Sequence, residues 1–134
     1  MARVTLDDID VMCVVAEGGP AGGAAAFEAL EARLPTLRGR RFYGTFHAGE
    51  YRACVAMRSD DDPAALGLGV WRIPGGEYEQ LRLHDWPDRI PEIPALFDAM
   101  VPASEVDPTR PSIELYRSAR ELVLLQPVLS ARRV

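Results

Sequence analysis

Apolar residues along the chain fall into short runs separated by Gly, Pro and acidic residues. Residues 11–16, Val-Met-Cys-Val-Val-Ala, form a continuous apolar run that stops at Gly18-Gly19-Pro20, which predicts a buried strand ended by turn residues. Over 23–37, Phe27, Leu30, Leu34 and Leu37 recur at i, i+3, i+7 and i+10, one face of an amphipathic helix with Glu28, Glu31 and Arg33 mostly off it. Pro35 should end that helix or fray its last turn. Residues 40–46 and 51–57 read as two strands joined by the hairpin-length loop His47-Ala48-Gly49-Glu50. Residues 59–63 carry three consecutive aspartates. Without the Gly and closing Glu of a calcium loop, they read as a solvated connection.

The second half begins with a strand over 69–73 and a break at Pro74-Gly75-Gly76. No helix start and no G-K-[ST] follow, so the break is a bulge or kink in a strand and no phosphate loop. A strand follows over 78–83, then a helix over 90–101 in which Ile93, Phe97 and Met100 keep a period near 3.6. Pro91 and Pro94 suit only its first turn. After a polar linker, 102–111, a last hairpin pairs 113–117 with 121–128 around Ser118-Ala119-Arg120.

The halves resemble each other. Each runs strand, helix, strand, strand, with Phe27-Glu28-Ala29-Leu30 matched by Phe97-Asp98-Ala99-Met100 and Tyr43 matched by Tyr116. A duplicated β-α-β-β unit is the simplest account, with repeats over about 8–58 and 69–129. The expectation is an α+β fold in one domain, 1–134: one antiparallel curved sheet, two helices on one face and a ligand groove on the other.

Composition narrows the function. At 134 residues the chain has the length of a single domain. Its 20 acids and 15 bases give a net charge of −5, so it lacks the basic face of a nucleic-acid binder and is a poor partner for an anionic membrane. Every base is Arg and there is no Lys, which removes Schiff-base chemistry. Cys13 and Cys54 each lie in apolar runs and read as buried thiols. His47 and His84 have no partner at ligand spacing, so no metal site is expected. The first ten residues lack an apolar core of signal-peptide type, and no apolar run approaches about 18 residues. A cytoplasmic location is the expectation.

Several ordered segments carry a family resemblance. Ile73-Pro74-Gly75-Gly76-Glu77-Tyr78 looks like an I-P-x-G-x-Y turn, and Leu83-His84-Asp85-Trp86-Pro87 stands at the place of an H-x-G-P segment. Pro111-Ser112-Ile113-Glu114-Leu115-Tyr116 matches P-x-I-E-x-Y, and a last strand ends in Gln126-Pro127-Val128. Together they resemble the GyrI-like small-molecule-binding domain, the effector-binding module of AraC- and MerR-type bacterial regulators, over residues 70–128. The first half matches by its repeat pattern. The resemblance implies a duplicated fold shared with SOUL-type haem-binding proteins and a groove between the halves. It also implies an acidic residue there that meets cationic, aromatic, drug-like ligands; the matching position is Glu114. Asp85-Trp86-Pro87 departs from the family's Gly-Pro and alters the pocket rim. The chain has no helix-turn-helix segment of a fused regulator.

Alternation puts Ser112, Glu114 and Tyr116 on one strand face and Ile113, Leu115 and Arg117 on the other. Alternation alone leaves Glu114 open between a groove carboxylate and a surface glutamate; the resemblance favours the groove, provided the Ile/Leu face meets the helices. Tyr43, as the apparent repeat-mate of Tyr116, is expected on the same groove. Trp71, Trp86 and Tyr78 lie in the motif-bearing segments and are candidate aromatic walls. The expected function is a stand-alone sensor or sequestering protein for hydrophobic, cationic or drug-like molecules, with Glu114, Tyr116, Tyr43, Trp71, Trp86 and Tyr78 as ligand-binding residues and no cofactor. The alternative is a hydrolase of reactive cyclopropane-containing alkylating compounds with Glu114 as general base. Glu77, Glu79 and Glu50 are the candidate second acids. Haem, suggested by the SOUL likeness, would need His47 or His84, both at predicted loop or strand ends.

Overall fold

A computed structural model describes residues 2–130. The elements are β1 (Ala2–Leu6), β2 (Ile9–Val15), α1 (Gly23–Arg33), β3 (Phe42–His47), β4 (Glu50–Ala56), α2 (Pro63–Leu66), β5 (Gly69–Ile73), β6 (Gly76–His84), α3 (Ile93–Met100), β7 (Ser112–Tyr116) and β8 (Glu121–Pro127). The eight strands form one antiparallel sheet in the order β1-β6-β8-β7-β3-β4-β2-β5. From the central pair outward, the two sides read β7-β8-β6 and β3-β4-β2, which is the expected duplication. Each outer edge is then finished by a strand from the other half, β1 beside β6 and β5 beside β2. The β1 strand was not expected. Its Val4 and Leu6 alternate inward and pack on the core, a short signal at the head of the chain.

The exchange of edge strands forces the sheet to curl. β1 and β2 are joined by only Asp7-Asp8, yet lie six strand spacings apart, about 29 Å in a flat sheet. Three residue steps reach about 11 Å, so the two edges must approach each other. The equivalent link, Pro74-Gly75, crosses the first one. A Cβ on Gly75 would collide with the backbone of Leu6, Asp7 and Asp8, and the Gly75 amide donates to Asp8 Oδ1 at 2.6 Å. The Pro-Gly-Gly break is thus the crossing point of the two halves.

Curling encloses one sheet face. Val11, Cys13, Tyr43, Cys54, Ile73, Tyr78, Ile113, Val123 and Leu125 fill it, and Val4 and Leu6 of β1 complete a cluster drawn from all eight strands. The other face carries both main helices. Ala26 and Leu30 of α1 pack on Met12, Ala53 and Val55, and Ile93 and Met100 of α3 pack on Leu83, Leu122 and Leu124. Cross-strand pairing puts Gly44, Ala53, Glu114 and Leu124 in one row on this helix-bearing face. α1 ends at Arg33 because Leu34, before Pro35, is extended. A 3-10 turn over Ile90–Glu92 precedes α3, and Pro94 sits in its first turn.

The acidic loop is less solvated than expected. Asp61 turns inward and binds the Arg40 guanidinium in bidentate fashion, at 2.5 and 2.7 Å. Both side chains are nearly closed off, at 5% and 7% exposure. Asp62 caps α2 by accepting from the Ala65 amide at 3.2 Å. Among the described residues no cluster of three metal-ligating side chains occurs and no helix is long and apolar enough to cross a membrane.

Candidate functional site

α1 packs mainly on β2 and β4, and α3 on β8 and β6, so the central pair β3–β7 lies between the two helices. A cavity of about 700 Å³ opens there. Its floor is Phe42, Tyr51, Glu114 and Tyr116. Its walls are Phe27 from α1, Ile93 and Pro94 from α3, and Trp86 from the segment before α3. A second lobe of about 360 Å³, bounded by Gly44, Phe97, Asp98, Ser112 and Gln126, shares Pro20, Tyr51, Ile93, Pro94 and Glu114 with the first. Glu114 therefore stands where the lobes meet.

The groove thus lies on the helix-bearing face and not on the opposite one. The reason is the curl: the enclosed face is filled by side chains from all eight strands. Ile113 and Leu115 meet that enclosed core rather than the helices, which turns Glu114 and Tyr116 toward the gap between α1 and α3.

Glu114 is held by two phenols. Tyr51 Oη donates to Glu114 Oε1 at 2.5 Å, Tyr116 Oη donates to the same oxygen at 2.9 Å, and the hydroxyls are 3.5 Å apart. Phe27 packs edge-on against Tyr116 at 5.2 Å and Tyr51 at 6.4 Å, and Trp86 packs edge-on against Tyr116 at 5.2 Å. Trp86 Nε1 donates to Ser118 O at 3.1 Å, which fixes the indole. Gly44 lies beneath this group: a Cβ there would overlap both Tyr51 Oη and Glu114 Oε1. Only glycine lets the carboxylate settle against the sheet.

Burial pushes the Glu114 carboxyl above its ordinary value, and the two phenol donors pull the other way. Both phenols are pushed up, first by burial and then by the neighbouring carboxylate, so they remain neutral donors. The other carboxylates lining the two lobes are Glu31 and Asp98, and among the described residues no Arg or His lines either one. Such a cavity attracts positive charge. A carboxyl whose folded-state value is raised binds its proton more tightly when folded, so its contribution to stability falls as pH rises through the window above 4.5. Urea unfolding of wild type and Glu114→Gln across that window should show a downward wild-type slope that the variant lacks. Equal slopes would contradict the assigned burial.

Of the residues singled out in the sequence, Glu114, Tyr116 and Trp86 come together here. Tyr43, Tyr78 and Trp71 lie on the enclosed face. Tyr43 pairs with Cys54 and Leu115. Tyr78 is fully buried, donates to Pro74 O at 2.7 Å and lies under the Arg110 guanidinium. Trp71 stacks against Arg52, 4.3 Å from the ring centre. Tyr43 and Tyr116 occupy opposite faces, so they are not symmetry mates despite similar positions after their helices. Glu50, Glu77 and Glu79 do not line the cavity; Glu50 pairs with Arg52 and Glu79 with Arg3. His47 meets Pro108 O at 2.9 Å, and His84 lies opposite Glu121 on β8. Tyr51, Phe27, Phe42 and Gly44 were not anticipated as site residues. Their common face follows from the pairing of β3 with both β4 and β7, which no local signal gives.

No family model matches the sequence, and no curated protein sequence matches it. Solved structures do. An integron cassette protein from the mobile metagenome of Vibrio cholerae, VCH_CASS2, superposes with a TM-score of 0.72 at 14% identity, covering 96% of this chain and 95% of that one. SAV2435, solved bound to tetraphenylphosphonium, gives 0.63 at 14% identity over 96% and 93%. A hydrolase from Listeria innocua gives 0.60 at 13% identity over 96% and 91%. At these identities the likeness is one of fold, and it extends over nearly the whole of each chain.

Proposed function

We propose that the chain is a GyrI-like small-molecule-binding protein that takes hydrophobic cations into the cavity between α1 and α3, as a sensor or sequestering module. It works as one domain, with repeats over about 8–58 and 69–129. Glu114 is the counter-charge, and Tyr51, Tyr116, Phe27 and Trp86 are the walls. The observation that carries this reading is one carboxylate set among aromatic rings in a cavity that, among the described residues, no basic side chain lines. A cation entering there gains the carboxylate and the ring faces together, in surroundings that exclude much of the water. SAV2435, with the same fold, is bound to a cation of this chemistry.

The test uses two ions of equal shape. Tetraphenylphosphonium should bind at least about tenfold more tightly than tetraphenylborate, since a partly desolvated charge contact contributes about 1–3 kcal/mol. Equal affinities by calorimetry would contradict it.

A second reading, hydrolysis of reactive cyclopropanes, draws on the raised Glu114 carboxyl and on the Listeria neighbour described as a hydrolase. Removing a general base lowers turnover by about 10²–10⁴-fold. The binding reading expects no Glu114-dependent turnover of such a substrate.

A further inference from the structure

The two oxygens of Glu114 are unlike. Oε1 accepts from both phenols and rests against Gly44 at the sheet surface. Oε2 accepts from no group among the described residues, and it is not among the side-chain atoms sealed from solvent without a partner. The carboxylate thus meets the protein with one oxygen and keeps the other toward the cavity, at the place where the two lobes join. An ionised oxygen so placed still has its accepting capacity unused, and a partly desolvated acceptor without a donor is costly.

We propose that the natural ligand is a protonated amine that donates its N–H to Glu114 Oε2, with apolar arms running into one or both lobes, rather than a cation without N–H groups. This rests on the cation reading and narrows it to a chemical class. The geometry selects through directionality. A protonated secondary or tertiary amine presents one or two N–H groups and makes a short, charge-assisted hydrogen bond. A quaternary ammonium of the same skeleton spreads its charge over methyl groups and reaches the carboxylate by Coulomb attraction alone. Desolvation runs against this order, because the amine gives up hydrogen bonds to water on entry and the quaternary ion does not. Without a waiting acceptor the quaternary ion would bind as well or better, so the sign of the difference is diagnostic.

The test is calorimetric titration at neutral pH with two probes, naphthylmethyl-dimethylamine in its protonated form and naphthylmethyl-trimethylammonium. The protonated amine should bind about tenfold more tightly to the wild type. In Glu114→Gln the phenols keep the amide oxygen as their acceptor, so the amide NH₂ faces the cavity. The amine then meets a donor, and its advantage should vanish. Equal affinities, or a tighter quaternary ion, overturn the proposal. If both cations bind equally but exceed tetraphenylborate in a Glu114-dependent way, the N–H inference fails and the cation reading stands. If neither exceeds the anion, the cation reading fails and takes the inference with it.

Discussion

Replacing Asp61 by alanine is expected to destabilise the protein by about 1–3 kcal/mol, although the residue lies in a loop far from the sheet centre in sequence. The reason is what is left behind. Arg40 and Asp61 are both nearly closed off from water and share two short hydrogen bonds. Among the described residues the Arg40 Nε already lacks a partner, so removing the carboxylate leaves a part-buried guanidinium with one long contact to Ala56 O, at 3.4 Å. The same carboxylate also accepts from the Arg58 amide at 2.7 Å, so the loop loses its tie to the end of β4. Arg40→Met combined with Asp61→Leu should cost much less than Asp61→Ala, because it removes both charges together. Denaturant titration of the variants measures this; a single variant as stable as wild type would contradict it. The pH dependence has a defined sign. Arg40 lowers the Asp61 carboxyl from 3.8 to about 2. Its stabilisation is present at neutral pH and fades as pH falls from about 4 through 2. The acid-unfolding curve of the Asp61→Ala variant should lack that component.

The second large effect is expected at Gly44. A methyl group there would take the space of Tyr51 Oη and Glu114 Oε1. β3 is hydrogen-bonded on both sides, to β4 and β7, and cannot drop away. The phenol and carboxylate must therefore move up into the cavity and part. Gly44→Ala should cost about 1–3 kcal/mol as overpacking. It should also weaken binding of a hydrophobic cation on the order of 100-fold, because the counter-charge is lifted off its seat into the space the ligand needs. Circular dichroism would establish that the variant is folded, and calorimetry would read the affinity. Binding equal to wild type by a folded Gly44→Ala would show that the seating of Glu114 does not matter.

Much of the fold was legible because its signals are local. The strand over 69–73 coincides with β5, and the hairpins 40–57 and 113–128 were marked by alternation and turn residues. The duplication could be read from the helices carrying Phe27 and Phe97. Three features were not legible, and each is non-local. The edge exchange of β1 and β5 depends on pairing partners from the other half. The groove's face depends on the curl, since alternation says only that Glu114 and Ile113 point oppositely. The choice of Tyr43 over Tyr51 came from matching residues by their distance after a helix. The sheet instead pairs Gly44 with Glu114 and with Ala53, two residues from Tyr51. Glu114 and Tyr116 alternate onto one face of β7, and Trp86, in the turn after β6, reaches the same cavity.

The inward turn of Asp61 was hidden for a similar reason. Three aspartates in a row read as solvated, and nothing near them in sequence shows that Arg40, two residues before β3, waits beside the middle one. Glu114 presented the reverse case, a lone acid between Ile113 and Leu115 whose partners Tyr51 and Tyr116 appear only once β3, β4 and β7 are aligned.

The most direct measurement of the central claim, that one seated carboxylate gives the cavity its preference for cations, is a paired titration of wild type and Glu114→Gln. Each is titrated with a hydrophobic cation and an anion of equal shape. The substitution keeps the side-chain volume and an oxygen for the two phenols, so the walls stay in place while the charge is removed. The account predicts that cation affinity falls by about 10- to 100-fold and that anion affinity holds or rises, so that the ratio collapses toward one. A cation-to-anion ratio unchanged by the substitution would contradict it.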